Sequence, residues 1–172
     1  EGAGLGNKFL ANIRESDAIC QVLRAFTDDD VVHVEGCVSP EGDMETINTE
    51  LILADIQTLD KAIPRLQKEA RTDKSKAAVA AAAEEARAIL DQGTTMFASN
   101  LDPAPLRELF LLTAKPFVYV VNVDEAELSD AVFIQRMKDL VAPAEAVFLD
   151  AKLEQELSEL ADDEALELLQ SV

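Results

Sequence analysis

Cations are scarce in this chain: 15 Lys and Arg stand against 34 Asp and Glu among 172 residues, a formal net charge of −19. Such an acidic balance excludes a global grip on nucleic acid, because phosphate binding needs a positive footprint. Any contact of that kind has to come from a local patch. Long apolar runs are missing too. None approaches the ~20 residues of a membrane span, and Glu1, Gly2 and Ala3 offer neither the basic n-region nor the apolar run of a secretion signal. No membrane and a cytoplasmic location are therefore expected. The two cysteines, Cys20 and Cys37, make no disulfide framework or zinc set. With one histidine, His33, and acids scattered over helices, the chain has no spacing for metal ligation or nucleophilic catalysis. The pattern Gly-x-x-x-x-Gly-Lys-Ser/Thr occurs nowhere, so nothing in these residues cradles phosphates or presents a hydroxyl to magnesium.

What is present is enough for a core: 48% of residues are hydrophobic, and the length suits one domain or a compact core carrying one insertion. Glu1 opens without an initiator Met on a glycine-rich stretch, and Val172 follows a helical pattern directly. We expect a portion of a longer polypeptide, with processing of a complete protein as the alternative.

Three segments are expected. Residues 1–42 hold a short helix presenting Phe9, Leu10 and Ile13, a buried strand Ala18–Phe26, and a polar loop Thr27–Gly42 containing Asp28–Asp30 and His33. Residues 43–100 hold a long helix from Asp43, a candidate N-cap. Ile52, Ile56, Leu59, Ile63, Leu66 and Ala70 alternate in steps of four and three, the spacing of a coiled-coil seam. Val79, Ala83, Ala86, Leu90, Gly93 and Phe97 repeat it after a polar break at Thr72–Lys76. The pair predicts an antiparallel helical hairpin, and a helix from Asp43 to Arg71 would reach on the order of 40 Å, enough to project. Two core helices of a bundle carry the same spacing. Pro64 inside the first helix is expected to bend it or cost about 3 kcal/mol. Residues 101–172 alternate helix and strand. They comprise a short helix after Pro103 and Pro105, a strand Phe117–Val123, a helix marked by Leu128, Val132 and Leu140, a strand Ala146–Leu149, and a last helix with Leu153, Leu157 and Leu160. That order implies α/β architecture with right-handed crossovers, and the hairpin reads as an insertion.

Ligands of open α/β sheets bind beyond the carboxyl ends of the strands. Asn122-Val123-Asp124-Glu125, after the strongest strand, matches the base-recognition element of P-loop nucleotidases. There the Asn amide steadies neighbouring loops and reaches the base, while the acid reads donors on its edge. A guanine reader has Lys second and Asp last; Val123 and the longer Glu125 weaken that preference. The same four residues also suit a plain turn, with Asn122 capping it and Glu125 opening a helix.

Gly4-Leu5-Gly6-Asn7-Lys8-Phe9-Leu10-Ala11-Asn12-Ile13-Arg14-Glu15 resembles the segment after the switch II motif in the YchF family of Obg-like ATPases. Arg24-Ala25-Phe26, the loop Asp28–Val34, and Ile47-Asn48-Thr49-Glu50-Leu51-Ile52-Leu53-Ala54-Asp55 follow in the same order. Asn122–Glu125 corresponds to that family's Asn-x-x-Glu motif, and the resemblance covers essentially the whole chain. It implies part of a P-loop NTPase (G-domain) sheet with an inserted helical hairpin, belonging to a ribosome-associated nucleotidase that hydrolyses ATP with Mg2+ in preference to GTP and carries a C-terminal TGS domain. Asn122, Val123 and Glu125 would contact adenine. Asp150, Ala151 and Lys152 would form the last base-side loop, where Asp150 departs from the family's usual Ser. His33 matches the histidine of a mobile loop and would position attacking water, or is an ordinary surface histidine. Gly2, Gly4 and Gly6 would end switch II. With no P-loop, these residues alone are expected neither to bind ATP appreciably nor to hydrolyse it. Strands lacking their neighbours would expose apolar faces, so the chain is expected to self-associate, leave its sheet partly disordered, or pair with a missing N-terminal part.

Lys61, Arg65, Lys68, Arg71, Lys74 and Lys76 lie within one stretch with only Glu69 and Asp73 opposing them. This reads either as a solvated face or as an anionic contact at the hairpin's far end. Given the family's ribosome association, the partner implied is the large ribosomal subunit or ribosomal RNA, held through its backbone, since no aromatic residue sits there to stack. A non-enzymatic module that uses the hairpin to dock a partner is the alternative function.

Overall fold

The structure, a computed structural model, describes residues 6–26 and 38–171. His33, Cys37 and Asp28–Asp30 lie outside them. The elements in chain order are α1 (Asn7–Glu15), β1 (Ile19–Arg24), α2 (Pro40–Thr72), α3 (Ala77–Asp91), β2 (Phe117–Asn122), α4 (Glu125–Ser129), α5 (Ala131–Val141), β3 (Glu145–Leu149), α6 (Ala151–Glu159) and α7 (Asp162–Ser171). Short 3-10 turns fill Lys74–Lys76, Ala104–Leu109 and Leu112–Ala114. Two compact units result. One comprises Glu1–Ile19 with Met44–Phe117, the other Cys20–Asp43 with Val118–Val172.

In the first unit, α2 and α3 run antiparallel. Gln67 donates to Glu84 at 2.6 Å and Arg87 donates to Asp60 at 2.8 Å, so partners descend one helix as they climb the other. Leu59, Leu66, Ala83, Ala86 and Leu90 are buried between them, joined by Leu106 and Leu111. The alanines of α3 favour helix and keep its inner face small. The second apolar seam stops at Leu90. Gly93 does not continue it: at φ +77° it ends α3, its N–H bonding to Leu90 O at 2.9 Å while Thr94 N–H reaches Ile89 O at 3.4 Å. That pair of bonds is a Schellman stop, which needs the left-handed conformation glycine adopts without strain. Phe97 lies beyond the helix and meets Phe117 at 5.9 Å between ring centroids.

The long helix begins earlier than Asp43. Ser39 Oγ accepts the N–H of Gly42 at 3.2 Å, and Pro40 occupies the first helical position, where its missing N–H costs nothing. Asp43 falls in the first turn. Pro64 does not end the helix, which continues to Thr72; its ring is exposed, so the carbonyl it deprives of a partner can turn to water.

In the second unit the strands are ordered β1-β2-β3. β2 and β3 are parallel, with Val118 opposite Glu145 and Asn122 opposite Leu149. One face of this sheet is filled: Gln21, Leu23, Tyr119 and Val121 are buried, and Phe133 of α5 meets Phe148 edge-on at 6.5 Å. The other face is open along β1 and β3, with Cys20 exposed and Val22 and Val147 at 66% and 47% exposure. The helix expected from Leu128, Val132 and Leu140 is in fact two. Asp130 breaks it by accepting the N–H groups of Val132 (2.9 Å) and Phe133 (3.1 Å), an N-cap that restarts the chain as α5. The face α5 buries is Met137 and Val141, and Val132 is 80% exposed.

Candidate functional site

Parallel strands deliver their carboxyl ends, and the loops that follow, to one edge. The register that sets Asn122 opposite Leu149 therefore places the loop after β2 beside the loop after β3. A side chain ties them: Asn122 Oδ1 accepts the N–H of Ala151 at 3.1 Å. Val123 N–H donates to Leu149 O at 3.0 Å, and Asn122 O accepts from Ala25 N–H at 2.8 Å. Asn122 thus anchors all three strand ends.

Two carboxylates shape the loops. Asp124 opens α4 through a capping box, accepting from Ala126 N–H (2.9 Å) and Glu127 N–H (3.3 Å) while Glu127 accepts from Asp124 N–H (3.1 Å). The Glu127 contact holds the Asp124 carboxyl below its ordinary range and raises that of Glu127. Asp150 caps α6 by accepting from Lys152 N–H (2.9 Å) and Leu153 N–H (3.1 Å). Its carboxylate is therefore occupied in folding the loop.

Of the residues expected to meet a base, Glu125, Asp150 and Lys152 share the lining of a cavity of about 420 Å³, together with Leu128, Leu153 and Leu169. Asn122 and Ala151 stand at the loop junction instead. Val123 departs from the expectation: it is 1% exposed, so its side chain belongs to the core and cannot present a face to a ligand. His33 lies outside the described residues.

The basic residues occupy the end of α2 and the turn after it. Lys61, Arg65, Lys68, Arg71, Lys74 and Lys76 are all exposed. Arg65 bonds Glu69 at 3.1 Å. Asp73 folds the turn by accepting from the Ser75 N–H (2.9 Å) and hydroxyl (2.7 Å).

Sequence reasoning missed Asp55. It is fully buried on α2, with its oxygens accepting from Leu112 N–H, Thr113 N–H and the Thr113 hydroxyl at 2.8, 2.8 and 2.7 Å. Burial raises its pKa despite these donors and the nearby Arg14 charge. An acid interrupting an apolar stretch between Ala54 and Ile56 was the available signal.

The architecture is α/β: a three-stranded sheet with two loops tied at its carboxyl edge, and a pair of antiparallel helices. The chain matches a solved structure of the Schizosaccharomyces pombe YchF GTPase with a TM-score of 0.82 and 28% identity, covering 99% of this chain and 49% of that one. It is 40% identical to the ribosome-binding ATPase YchF of Pasteurella multocida over 178 residues, covering 100% of this chain and 49% of the relative. Against the Bacillus subtilis protein of the same name the identity is 41% over 174 residues, covering 95% and 47%. Against Obg-like ATPase 1 of Saccharomyces cerevisiae it is 33% over 186 residues, covering 99% and 47%. No family model matches the chain. The chain belongs to the YchF family, and it spans about half the length of the curated relatives it matches.

Proposed function

We propose that this chain is the base-recognition and partner-docking portion of a ribosome-associated P-loop nucleotidase that hydrolyses ATP, with Mg2+, in preference to GTP. The observation that carries the reading is the Asn122–Ala151 bond, which joins the two loops where a purine edge would be read. Glu125, at the lip of the adjoining cavity, is an acceptor suited to the exocyclic amine of adenine. The phosphates and the metal need groups that these 172 residues do not contain. The α2–α3 pair, over residues 43–100, acts in this reading as a coiled-coil insertion whose basic end meets the large ribosomal subunit in the cytoplasm. The open sheet face at Cys20, Val22 and Val147 supports self-association of the isolated chain, or pairing with the remainder of the polypeptide.

Calorimetry and competition assays test this. The isolated chain is expected to show no micromolar ATP affinity and no turnover. In the intact parent, Asn122→Ala is expected to weaken ATP binding, and Glu125→Asp to shift preference towards GTP. Micromolar ATP binding by the isolated chain, or an unchanged ATP-to-GTP ratio in Glu125→Asp, would refute the reading.

A further inference from the structure

Within the first unit a groove of about 590 Å³ lies along the middle of α2, with α1 as its other wall. Arg14 of α1 lines it together with Lys61 and Arg65 of α2, and Glu50 is the acid among the lining residues. The lining balance is thus 3 − 1 = +2, in a chain whose formal net charge is −19. Lys61 and Arg65 stand one helical turn apart, about 6 Å along the axis, and Lys68 continues their row towards the basic turn. The Arg65–Glu69 pair is exposed on both sides, at 63% and 38%. Such a pair contributes little in water, so the guanidinium is available to a stronger anion.

We propose that this groove is a phosphate-backbone site for RNA, in which Arg14 is a contact residue supplied by a second helix. The inference rests on the RNA reading of the basic end of α2 and extends it from the turn down to α1. RNA suits the site better than an acidic protein for two reasons. The cations form an extended track at regular spacing, and the lining contains no aromatic anchor of the kind that dominates protein interfaces. The two arginines present planar forks matched to phosphate oxygens. Gln57, also on the lining, adds a neutral donor.

Fluorescence anisotropy of a labelled 20-nucleotide polyuridylate with the full 172-residue chain, between 50 and 200 mM salt, tests the proposal. Arg14→Ala is expected to weaken binding on the order of five- to tenfold at 50 mM and to flatten the log–log salt slope by about 0.7, the loss of one single-strand phosphate contact. Glu50→Gln is expected to tighten binding, a gain that no folding defect can mimic. If both variants match the parent chain while Arg71→Ala/Lys74→Ala, outside the groove, weakens binding, the groove is refuted and the RNA reading of the basic turn survives. If the polyuridylate binds none of these proteins while the chain still co-sediments with ribosomes, the RNA reading fails and the groove with it.

Discussion

Asp55 carries the sharpest prediction. Its carboxylate is fully buried and receives three donors at 2.7–2.8 Å from Leu112 and Thr113, fastening α2 to the segment that leads into β2. Asp55→Ala leaves two N–H groups and one hydroxyl unpaired in the interior, at about 1–3 kcal/mol each. Relief from burying a charge offsets part of that, for a net loss of about 3–5 kcal/mol. Asp55→Asn keeps an acceptor oxygen but turns an NH2 against one of the donors, and is expected to cost about 2 kcal/mol. Thr113→Val removes one bond, about 1 kcal/mol, and is expected to be less than additive with Asp55→Asn. Urea unfolding followed by circular dichroism measures all three. Burial, the largest influence on Asp55, raises its folded-state pKa above the ordinary 3.8. The folded chain therefore binds more protons between the raised value and 3.8, and the stability tied to Asp55 is lost as pH rises through that window. Lowering the pH from 7 to 4 is expected to widen the gap between the parent chain and Asp55→Asn. A cost below 1 kcal/mol for Asp55→Ala would show that the three bonds do not govern this junction, and a gap that narrows on acidification would show that they, rather than burial, set the Asp55 pKa.

Further consequences concern helices and core. Pro64→Ala restores an N–H to an exposed helix interior and is expected to stabilise the chain by about 1–3 kcal/mol, read as a higher urea midpoint. Leu90→Ala empties a position 1% exposed between α2 and α3, with an expected cost of about 2–5 kcal/mol in the same assay. Asp124→Ala removes the N-cap of α4, at about 1 kcal/mol. Because the Asp124 pKa is depressed, first by its Glu127 contact, that cost is expected to be present at neutral pH and to vanish as pH falls through the depressed value.

How far these features are legible in the sequence depends on how local their causes are. The apolar alternation of Leu59, Leu66, Ala83 and Leu90 is a one-dimensional signal of a helical face, and those residues are buried together. Strand positions follow from the short apolar runs, to within a residue or two. Helix limits are harder, because a cap competes with the pattern around it. Gly93 and Asp130 each override the apolar spacing that runs across them, and Ser39 starts α2 ahead of Asp43, the expected cap. The grouping of Asp55 with Thr113 is illegible for a different reason. The apolar stretch around Asp55 marks the acid as out of place, but its partners come from a distant part of the chain, so no local pattern names them.

The candidate site repeats this distinction within four residues. Asn122 and Val123 are adjacent in the motif, yet strand alternation sends their side chains in opposite directions. Asn122 turns to the loop after β3 and holds Ala151, whereas Val123 enters the core at 1% exposure. A motif read as a string treats both alike; read as a strand end, it gives Asn122 to the loop junction, Val123 to the core and Glu125 to the cavity lining. That has a consequence for mutagenesis. A polar residue at position 123 is expected to act through stability, and one at 122 or 125 through nucleotide preference. The two effects separate when unfolding midpoints and ATP-to-GTP ratios are measured on the same variants of the intact parent.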